Sequence, residues 1–268
     1  MLIIKSLIVF FNTLYTNKSV LINLIRRDFN SQYIGSAFGF VWTFLQPLAF
    51  ITVIWFVFTY AMKSGDVDGV PFAIFMLSGF SIWNFFSDSF VKGTSSISEY
   101  SFLVKKVQFP IALIPVVKIG STLMTHAIFL ILLFIILIAN GYNPSFYWFQ
   151  SIFYIFASIA LSLGLVWLCS ALNVFFKDTA QIVTVLLQIG VWATPVFWNI
   201  KMFPENIQAI LLQNPLAYIV NGYRNTFINH IPFWEQSGAF GFWITTIIMI
   251  LIGAFVFQKL RPHFADVL

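Results

Sequence analysis

Residues 111–139, IALIPVVKIGSTLMTHAIFLILLFIILIA, form an apolar stretch in which Lys118 is the only Lys, Arg, Asp or Glu. A transmembrane helix needs about 20 mostly apolar residues to cross a hydrocarbon core about 30 Å thick. This stretch is long enough to cross and also to tilt or to project beyond the bilayer. It therefore predicts a membrane-spanning helix.

The rest of the 268-residue chain has the same character. Hydrophobic residues make up 60% of it and charged residues only 9%, whereas soluble domains carry about 25% charged residues. This excludes an ordinary soluble enzyme, a disordered chain and a nucleic-acid-binding protein. The net charge of +5 comes from small basic groups between long apolar runs, so the expected partner is the anionic face of a membrane.

The fold class predicted from these runs is an all-α integral membrane protein with six transmembrane helices. Nearly all of the chain lies in spans and short loops, so residues 1–268 are expected to form a single membrane domain with 1–36 as a cytoplasmic or interfacial segment. The predicted spans are 37–61, 71–91, 111–139, 148–175, 182–200 and 240–257.

The distribution of Lys and Arg predicts the orientation, because cytoplasmic loops are enriched in these residues. Most of them fall in the N-terminal segment, the second loop, the fourth loop and the C-terminal tail, whereas Lys63, Lys201 and Arg224 lie on the other side. The prediction is a multi-pass membrane protein with both termini in the cytoplasm.

Residues 19–29 predict an amphipathic helix ahead of the first span. It would lie in the membrane interface with Arg26 and Arg27 at headgroup level. A substrate-handling role and a simple topology anchor both fit this pattern. Its apolar stripe consists of Val20, Leu21, Leu24 and Ile25.

The second cytoplasmic loop predicts a short helix over residues 97–107. Ser96 and Glu99 match a capping box, and Phe109-Pro110 supplies a stop. Exposed aromatic residues on a loop helix indicate a docking surface, although a helix that merely rests on the bilayer is an alternative. The side chains expected to face the cytoplasm are Tyr100, Phe102, Lys105 and Lys106.

The sequence of residues 201–230, on the outer side, predicts a helix, then a break at Asn214-Pro215, and then a second helix that is amphipathic. The second helix is too short to cross, so the segment would form a re-entrant hairpin, which requires a covering protein or a water-filled cavity. A hairpin lying flat on the surface is the alternative. The apolar positions are Leu216, Ile219, Val220, Tyr223 and Phe227, and Asn221, Arg224 and Asn225 would turn toward water.

The sequence lacks the motifs of several common catalytic and metal-binding sites. It lacks a GxxxxGK[ST] phosphate loop, an HExxH pattern, a nucleophile elbow and any His/Cys cluster with metal-ligand spacing, and Cys169 is its single cysteine. We therefore expect no catalytic residue, no metal site and no cofactor in this chain. Asp88, Lys118 and His126 are ionisable residues within predicted spans, and no paired set of them is visible in the sequence.

Aromatic residues are abundant, and most are expected to face lipid or to form interfacial belts. Some could instead line a conduit for sugars, because the C–H faces of sugar rings pack on aromatic rings. The candidates for such a conduit are Trp42, Trp55, Trp83, Trp192 and Trp198.

Four segments together resemble one known family: the ABC-2 type permease subunit of bacterial polysaccharide exporters, which carry O-antigen, capsule or teichoic-acid chains on a lipid. The resemblance covers almost the whole chain, and the segments follow the order and spacing of the family. They are RRDFNSQYIGSAFGFVWTFLQPL (26–48), KKVQFPIALIPVVK (105–118), NVFFKDTAQI (173–182) and NPLAYIVNGYR (214–224).

The resemblance implies a homodimer that encloses one channel, with two separate cytoplasmic ATPase subunits that bind ATP and Mg²⁺. It places Arg26 and Arg27 where a lipid diphosphate enters. It implies a coupling helix that docks into the ATPase and includes Ser98, Glu99, Tyr100, Phe102, Lys105 and Lys106. It assigns the outer gate to Asn214, Pro215, Tyr223 and Arg224.

The function expected from the resemblance is that of the channel subunit of an ATP-driven exporter of lipid-linked polysaccharide, with O-antigen on a polyprenyl diphosphate as the favoured cargo. The subunit itself would not be an enzyme. Two alternatives stay open at this point: an intramembrane enzyme acting on a polyprenyl-linked sugar, and a proton-coupled carrier.

Overall fold

A computed structural model describes residues 2–32, 34, 36–61, 65–106 and 109–268, with side chains for all of these except 2–8, 40, 59, 61 and 106. The described residues are predominantly helical and contain no β-strand, which confirms the predicted all-α class. The α-helices are α1 (Leu2–Thr16), α2 (Lys18–Ser31), α3 (Trp42–Phe56), α4 (Phe72–Glu99), α5 (Ser101–Lys106), α6 (Ile114–Ala139), α7 (Gln150–Phe175), α8 (Asp178–Ala193), α9 (Glu205–Leu211), α10 (Pro215–Arg224), α11 (Ala239–Leu260) and α12 (Phe264–Val267).

The long helix α4 lies at the centre of the bundle. It packs against α6, α7, α8 and α10, and most of its residues from Ile74 to Ile97 are buried. Its first turn lies near α10, and its last turn lies near α2 and α5. We call these the α10 end and the α2 end of the bundle.

Helices α7 and α11 approach each other closely at two glycines. A Cβ atom added to Gly164 would lie 2.7 Å from the backbone nitrogen of Ile250, and a Cβ on Gly253 would collide with the carbonyl oxygen of Gly164. Small residues let helix backbones come together, which is the main source of helix packing within a bilayer. These two positions therefore fix the last long helix against the bundle.

Three helical segments are long and apolar enough to cross a membrane among the described residues: Ile111–Ala139, Phe146–Phe175 and Ala239–Val267. They coincide with the third, fourth and sixth predicted spans. In the region of the first predicted span, α3 is extended by a 3₁₀ turn at Gly39–Val41 and a π turn at Val57–Ala61. The six-span count itself stays a prediction.

Two helices end at positions that differ from the ends of the predicted spans. The second span was expected to end at residue 91, but α4 continues to Glu99 because its C-terminal turns pack against other helices. The fifth span was expected over 182–200, but α8 begins at Asp178 and ends at Ala193. It ends there because Thr194 precedes Pro195, which disfavours helical backbone at the residue before it, and Thr194 is extended.

Candidate functional site

Helix α2 presents the predicted arginine pair. Both Arg26 and Arg27 are exposed, and no hydrogen bond or ion pair within the described residues involves either side chain. The next residue, Asp28, has the opposite character: it is only 3% exposed. Two guanidinium groups are therefore displayed beside a buried carboxylate that anchors their helix.

The carboxylate of Asp28 is held by three donors from other elements. Oδ1 accepts hydrogen bonds from Lys118 Nζ at 2.7 Å and from Tyr100 Oη at 2.7 Å, and Oδ2 accepts one from Ser121 Oγ at 2.6 Å. Lys118 Nζ also lies 2.6 Å from Glu99 Oε2. We call these five residues the Asp28 cluster; it joins α2 to α6 and to the end of α4.

The cluster shifts the ionisation of two of its members. Burial alone would raise the pKa of Asp28, but the hydrogen bonds from Lys118, Ser121 and Tyr100 outweigh it and hold the pKa below its usual 3.8. Burial, together with the hydrogen bond to this carboxylate, raises the pKa of the Tyr100 phenol. Asp28 is therefore an anion, and Tyr100 is its neutral donor, across the physiological pH range.

Close packing supports the same attachment. A Cβ atom on Gly120 would lie 2.5 Å from Cδ1 of Ile25, so only glycine allows α2 to pack this closely on α6. Ile25 belongs to the predicted apolar stripe, which explains why α2 lies on the bundle with Arg26 and Arg27 outward.

The predicted docking helix differs from expectation. No capping box forms, because Ser96 lies inside α4, buried and without a hydrogen-bond partner for Oγ, and Glu99 is the last residue of that helix. A separate helix, α5, covers only Ser101–Lys106, and the predicted end at 107 lies outside the described residues. Phe102 is 48% exposed, and Lys105 is also exposed.

The remaining docking candidates have partners within the chain. The Tyr100 hydroxyl is engaged by Asp28, so it is not a free docking group. Ser98 Oγ accepts a hydrogen bond from Lys177 Nζ at 3.0 Å. The Lys106 side chain lies outside the described part. Among the candidates whose side chains are described, Phe102 and Lys105 are thus the ones that are exposed and have no hydrogen bond or ion pair.

The five candidate tryptophans do not line one surface. Trp42 borders a cavity between α3, α4 and α6, and Trp55 borders a second cavity toward the α10 end. Trp83 is buried in the core: it is 5% exposed, and Gly190 of α8 lies against its ring. Trp192 is 66% exposed, and its carbonyl accepts a hydrogen bond from Trp198 Nε1.

The predicted break in the outer segment is present. Asn214 is the N-cap of α10: its Oδ1 accepts from the Leu216 backbone N–H at 2.9 Å, and its Nδ2 donates to Thr194 Oγ1 at 3.0 Å. Pro215 occupies the first turn of α10, where its missing N–H costs no helical hydrogen bond. Asn214 thus both starts α10 and ties it to the end of α8.

The predicted amphipathic pattern of α10 is confirmed for its apolar face, but the prediction for Arg224 is wrong. Ile219, Val220 and Tyr223 are buried as expected. Arg224 was expected to face water, but it is 4% exposed. Its Nη2 donates to the Val196 carbonyl at 2.7 Å, in the turn after α8, and its Nε donates to the Phe75 carbonyl at 3.2 Å, in the first turn of α4. A carbonyl oxygen has two lone pairs, so Phe75 can accept from Arg224 in addition to the Ser78 hydroxyl of its own helix.

The ionisable residues within spans also find partners. His126 Nε2 lies 2.9 Å from Tyr223 Oη, which links α6 to α10. Lys118 pairs with Asp28 and Glu99, two carboxylates that lie outside the predicted spans. The described residues hold no group of three His, Cys, Asp or Glu side chains that could bind a metal.

Asp28 is the residue that sequence reasoning missed. It stands beside Arg26 and Arg27 in a segment singled out for its arginines, and no functional role was predicted for it. One signal was present: an acidic residue directly following the apolar stripe of α2, in a chain with only 9 Asp and Glu residues. Its partner is 90 positions away, beyond any local pattern.

Comparison with known proteins agrees with this architecture. A family model described as "ABC-2 type transporter" matches residues 19–228. The chain is 30% identical over 258 residues to the "O-antigen export system permease protein RfbA" of Myxococcus xanthus, covering 94% of this chain and 96% of that protein. It is 27% identical over 253 residues to a protein of the same name from Klebsiella pneumoniae, covering 93% and 95%.

A more distant relative is the "Polysialic acid transport protein KpsM" of Escherichia coli. It is 24% identical over 200 residues, covering 74% of this chain and 76% of that protein. The matched regions include α2, the Asp28 cluster and α10. The chain belongs to the ABC-2 type transporter family.

Proposed function

We propose that this chain is the channel-forming permease subunit of an ATP-driven exporter that moves lipid-linked polysaccharide across the bacterial inner membrane. The observation that carries the proposal is the similarity over almost the whole chain to permeases of O-antigen export. O-antigen on a polyprenyl diphosphate is therefore the favoured cargo. A homodimer encloses the channel, both termini lie in the cytoplasm, and the membrane domain spans six times.

The α2 end supports an entrance for a diphosphate. Arg26 and Arg27 are exposed, whereas the residue beside them is locked into the bundle. Arginine binds phosphate oxygens with two parallel hydrogen bonds, which gives orientation as well as attraction. Arginines on a fixed helix are held in place for a charged lipid headgroup, whereas arginines on a flexible segment would first have to be ordered.

The same end supports docking of the ATPase. The sequence has no phosphate loop of its own, and family members are transport subunits, so ATP and Mg²⁺ belong to two partner ATPase subunits. Phe102 on α5 offers an exposed aromatic ring with Lys105 nearby. Side chains of this kind form the centre and rim of protein interfaces.

Asp28 is not suited to be the proton-binding group of a proton-coupled carrier. Such a carrier needs a carboxyl that gains and loses a proton near the working pH. The pKa of Asp28 lies below 3.8, so this carboxylate keeps its charge. We assign it a structural role in the exporter.

One set of measurements tests the proposal. Host cells lacking this chain should retain lipid-linked glycan inside the inner membrane, detected by mass spectrometry, and restoring the chain should release it. The purified chain should hydrolyse no ATP alone and should do so only with its partner ATPase. Chemical conversion of a polyprenyl-linked sugar by the purified chain would instead establish the intramembrane enzyme.

A further inference from the structure

A polar cavity of about 430 Å³ lies between α3, α4 and α6. This is within the usual range for small-molecule sites, about 300–1,000 Å³. It begins beside Gln32, just after the end of α2, where Lys92 Nζ donates a 3.2 Å hydrogen bond to Gln32 Oε1. Polar groups inside a membrane bundle are costly, so a cavity lined by them indicates a function.

The two threonines of the cavity wall do not turn their hydroxyl groups into the open space. Thr43 is 3% exposed, and the Oγ1 atoms of Thr43 and Thr125 are both buried and have no hydrogen-bond partner within the described part of the chain. Hydrogen-bonding groups for an occupant must therefore come from the other side chains of the wall.

Other polar side chains extend the same wall. Asn84, Asp88 and Lys92 stand four residues apart on α4, so they share one face of that helix. Gln46 of α3 lines the same space. Neither Asn84 nor Asp88 nor Gln46 has a hydrogen-bond partner among the residues that the structure describes. One carboxylate and one ammonium balance each other, which favours a neutral occupant.

Aromatic rings form the remaining wall. Trp42 and Phe129 line the cavity, and the rings of Phe50 and Phe80 stack there with centroids 4.5 Å apart. A sugar ring has hydroxyl groups around its edge and C–H groups on its faces, so it needs both kinds of wall at once. A free phosphate or a lipid tail would use only one of them.

The location connects the cavity to the entrance. Gln32 follows Arg27 by five residues, which is about 8 Å along a helix axis. A diphosphate at the arginine pair would thus place its attached sugar near the mouth of the cavity. Because Lys92 and Gln32 are joined only by an exposed hydrogen bond, the mouth can open at little cost.

We propose that the cavity between α3, α4 and α6 binds one neutral sugar ring of the glycan, with Asn84 and Asp88 as its hydrogen-bonding groups and Trp42 as its stacking surface. This inference rests on the proposed function. It goes further by naming a sugar-binding subsite within the permease.

Protection of an engineered cysteine tests the site. Cys169→Ser removes the native thiol, and Gln46→Cys then places a thiol on the cavity wall. The full chain, in nanodiscs with its partner ATPase, is treated with a membrane-impermeant maleimide. Oligosaccharide released from the glycan that the host exports is the probe, and polyethylene glycol of equal mass is the control. Asp178→Cys, exposed and outside the cavity, is the matched control position.

We expect the oligosaccharide to slow labelling at position 46 and not at position 178, with no effect of polyethylene glycol. Adding Asn84→Ala should raise the half-protecting concentration about fivefold, the effect of one lost hydrogen bond, whereas Thr246→Val, outside the cavity, should leave it unchanged. The inference would be overturned if position 46 is not labelled at all. It would also be overturned if the oligosaccharide and polyethylene glycol slow labelling equally, or if neither slows it. If the wild-type complex still exports glycan in that case, only the subsite is lost; if it exports none, the proposed function fails as well.

Discussion

Lys118 Nζ donates a 2.7 Å hydrogen bond to Asp28 Oδ1 across 90 positions of sequence, and the same nitrogen lies 2.6 Å from Glu99 Oε2. One lysine of α6 therefore holds both the helix that displays Arg26 and Arg27 and the end of α4 that leads into α5. On the proposed function, the lipid entrance and the ATPase-docking segment share this attachment, so a displacement of one is transmitted to the other.

Removing the charge of Asp28 should destabilise the protein. Breaking a fully buried ion pair costs about 3–5 kcal/mol, and the remaining pair between Lys118 and Glu99 together with partial solvent access reduces this to about 2 kcal/mol for Asp28→Asn. The midpoint of thermal unfolding in detergent measures the effect. Asp68→Asn is the matched control, since Asp68 pairs with Lys201 at an exposed site and should have little influence. Equal shifts in the two variants would contradict the role of the cluster.

The stability contributed by Asp28 should persist to low pH. Its pKa is lower in the folded chain than the usual 3.8, so the contribution is complete above the unfolded value and is lost as pH falls through the folded value. The difference in unfolding midpoint between wild type and Asp28→Asn should therefore be constant from pH 7 to about pH 5 and shrink only below about pH 4. A difference that disappears between pH 6 and pH 7 would contradict this assignment.

Part of this architecture could be predicted because apolar periodicity is local. The runs at 111–139, 148–175 and 240–257 coincide with most of α6, α7 and α11, and the Asn214-Pro215 break marks the start of α10. The contacts that these helices make with one another were not accessible in the same way. Neither the pairing of Lys118 with Asp28 nor the burial of Arg224 follows from any local pattern.

The failed capping box shows why local motifs mislead inside a bundle. Ser96 and Glu99 have the right spacing for a helix start, but α4 continues through them because Ile97 packs in the core and outweighs the capping preference. Helix α1 was missed for a related reason. Its Phe10 is buried against Trp167, with ring centroids 4.8 Å apart, and that contact depends on the fold.

Changing both Arg26 and Arg27 to Lys should lower export while keeping topology. The positive charge that orients the chain remains, but the planar group that binds two phosphate oxygens is lost. Retention of lipid-linked glycan in the cells measures export, and labelling of single cysteines from each side of the membrane checks topology. Lys18→Arg serves as a control of the reverse exchange on the same helix. If the double variant exports at the full rate, the two arginines serve only to set the topology.

Phe102→Ala should weaken coupling to the ATPase, because it removes the exposed ring of α5. Tyr100→Phe should act differently: it removes one hydrogen bond to Asp28 and leaves the docking surface intact, so stability falls by about 1 kcal/mol while coupling remains. Co-purification with the ATPase and the ratio of glycan exported to ATP hydrolysed separate the two effects. Wild-type coupling in Phe102→Ala would exclude α5 as the docking segment.

Arg224→Lys tests the assignment of the α9–α10 segment as the outer gate. The guanidinium of Arg224 bridges the carbonyls of Val196 and Phe75 and lies 3.6 Å from the centroid of the Phe75 ring, so it fastens α10 to the ends of both α8 and α4. A lysine ammonium keeps the charge but cannot reproduce this planar, two-sided contact. If α10 closes the outer mouth, loosening it should make the resting complex conduct ions in planar bilayers. Docking of the ATPase should persist, since α5 lies at the other end of α4. Arg261→Lys, an exposed exchange after α11, is the matched control. A resting conductance no higher than that of the control, in a variant shown to be folded, would mean that α10 does not seal the mouth.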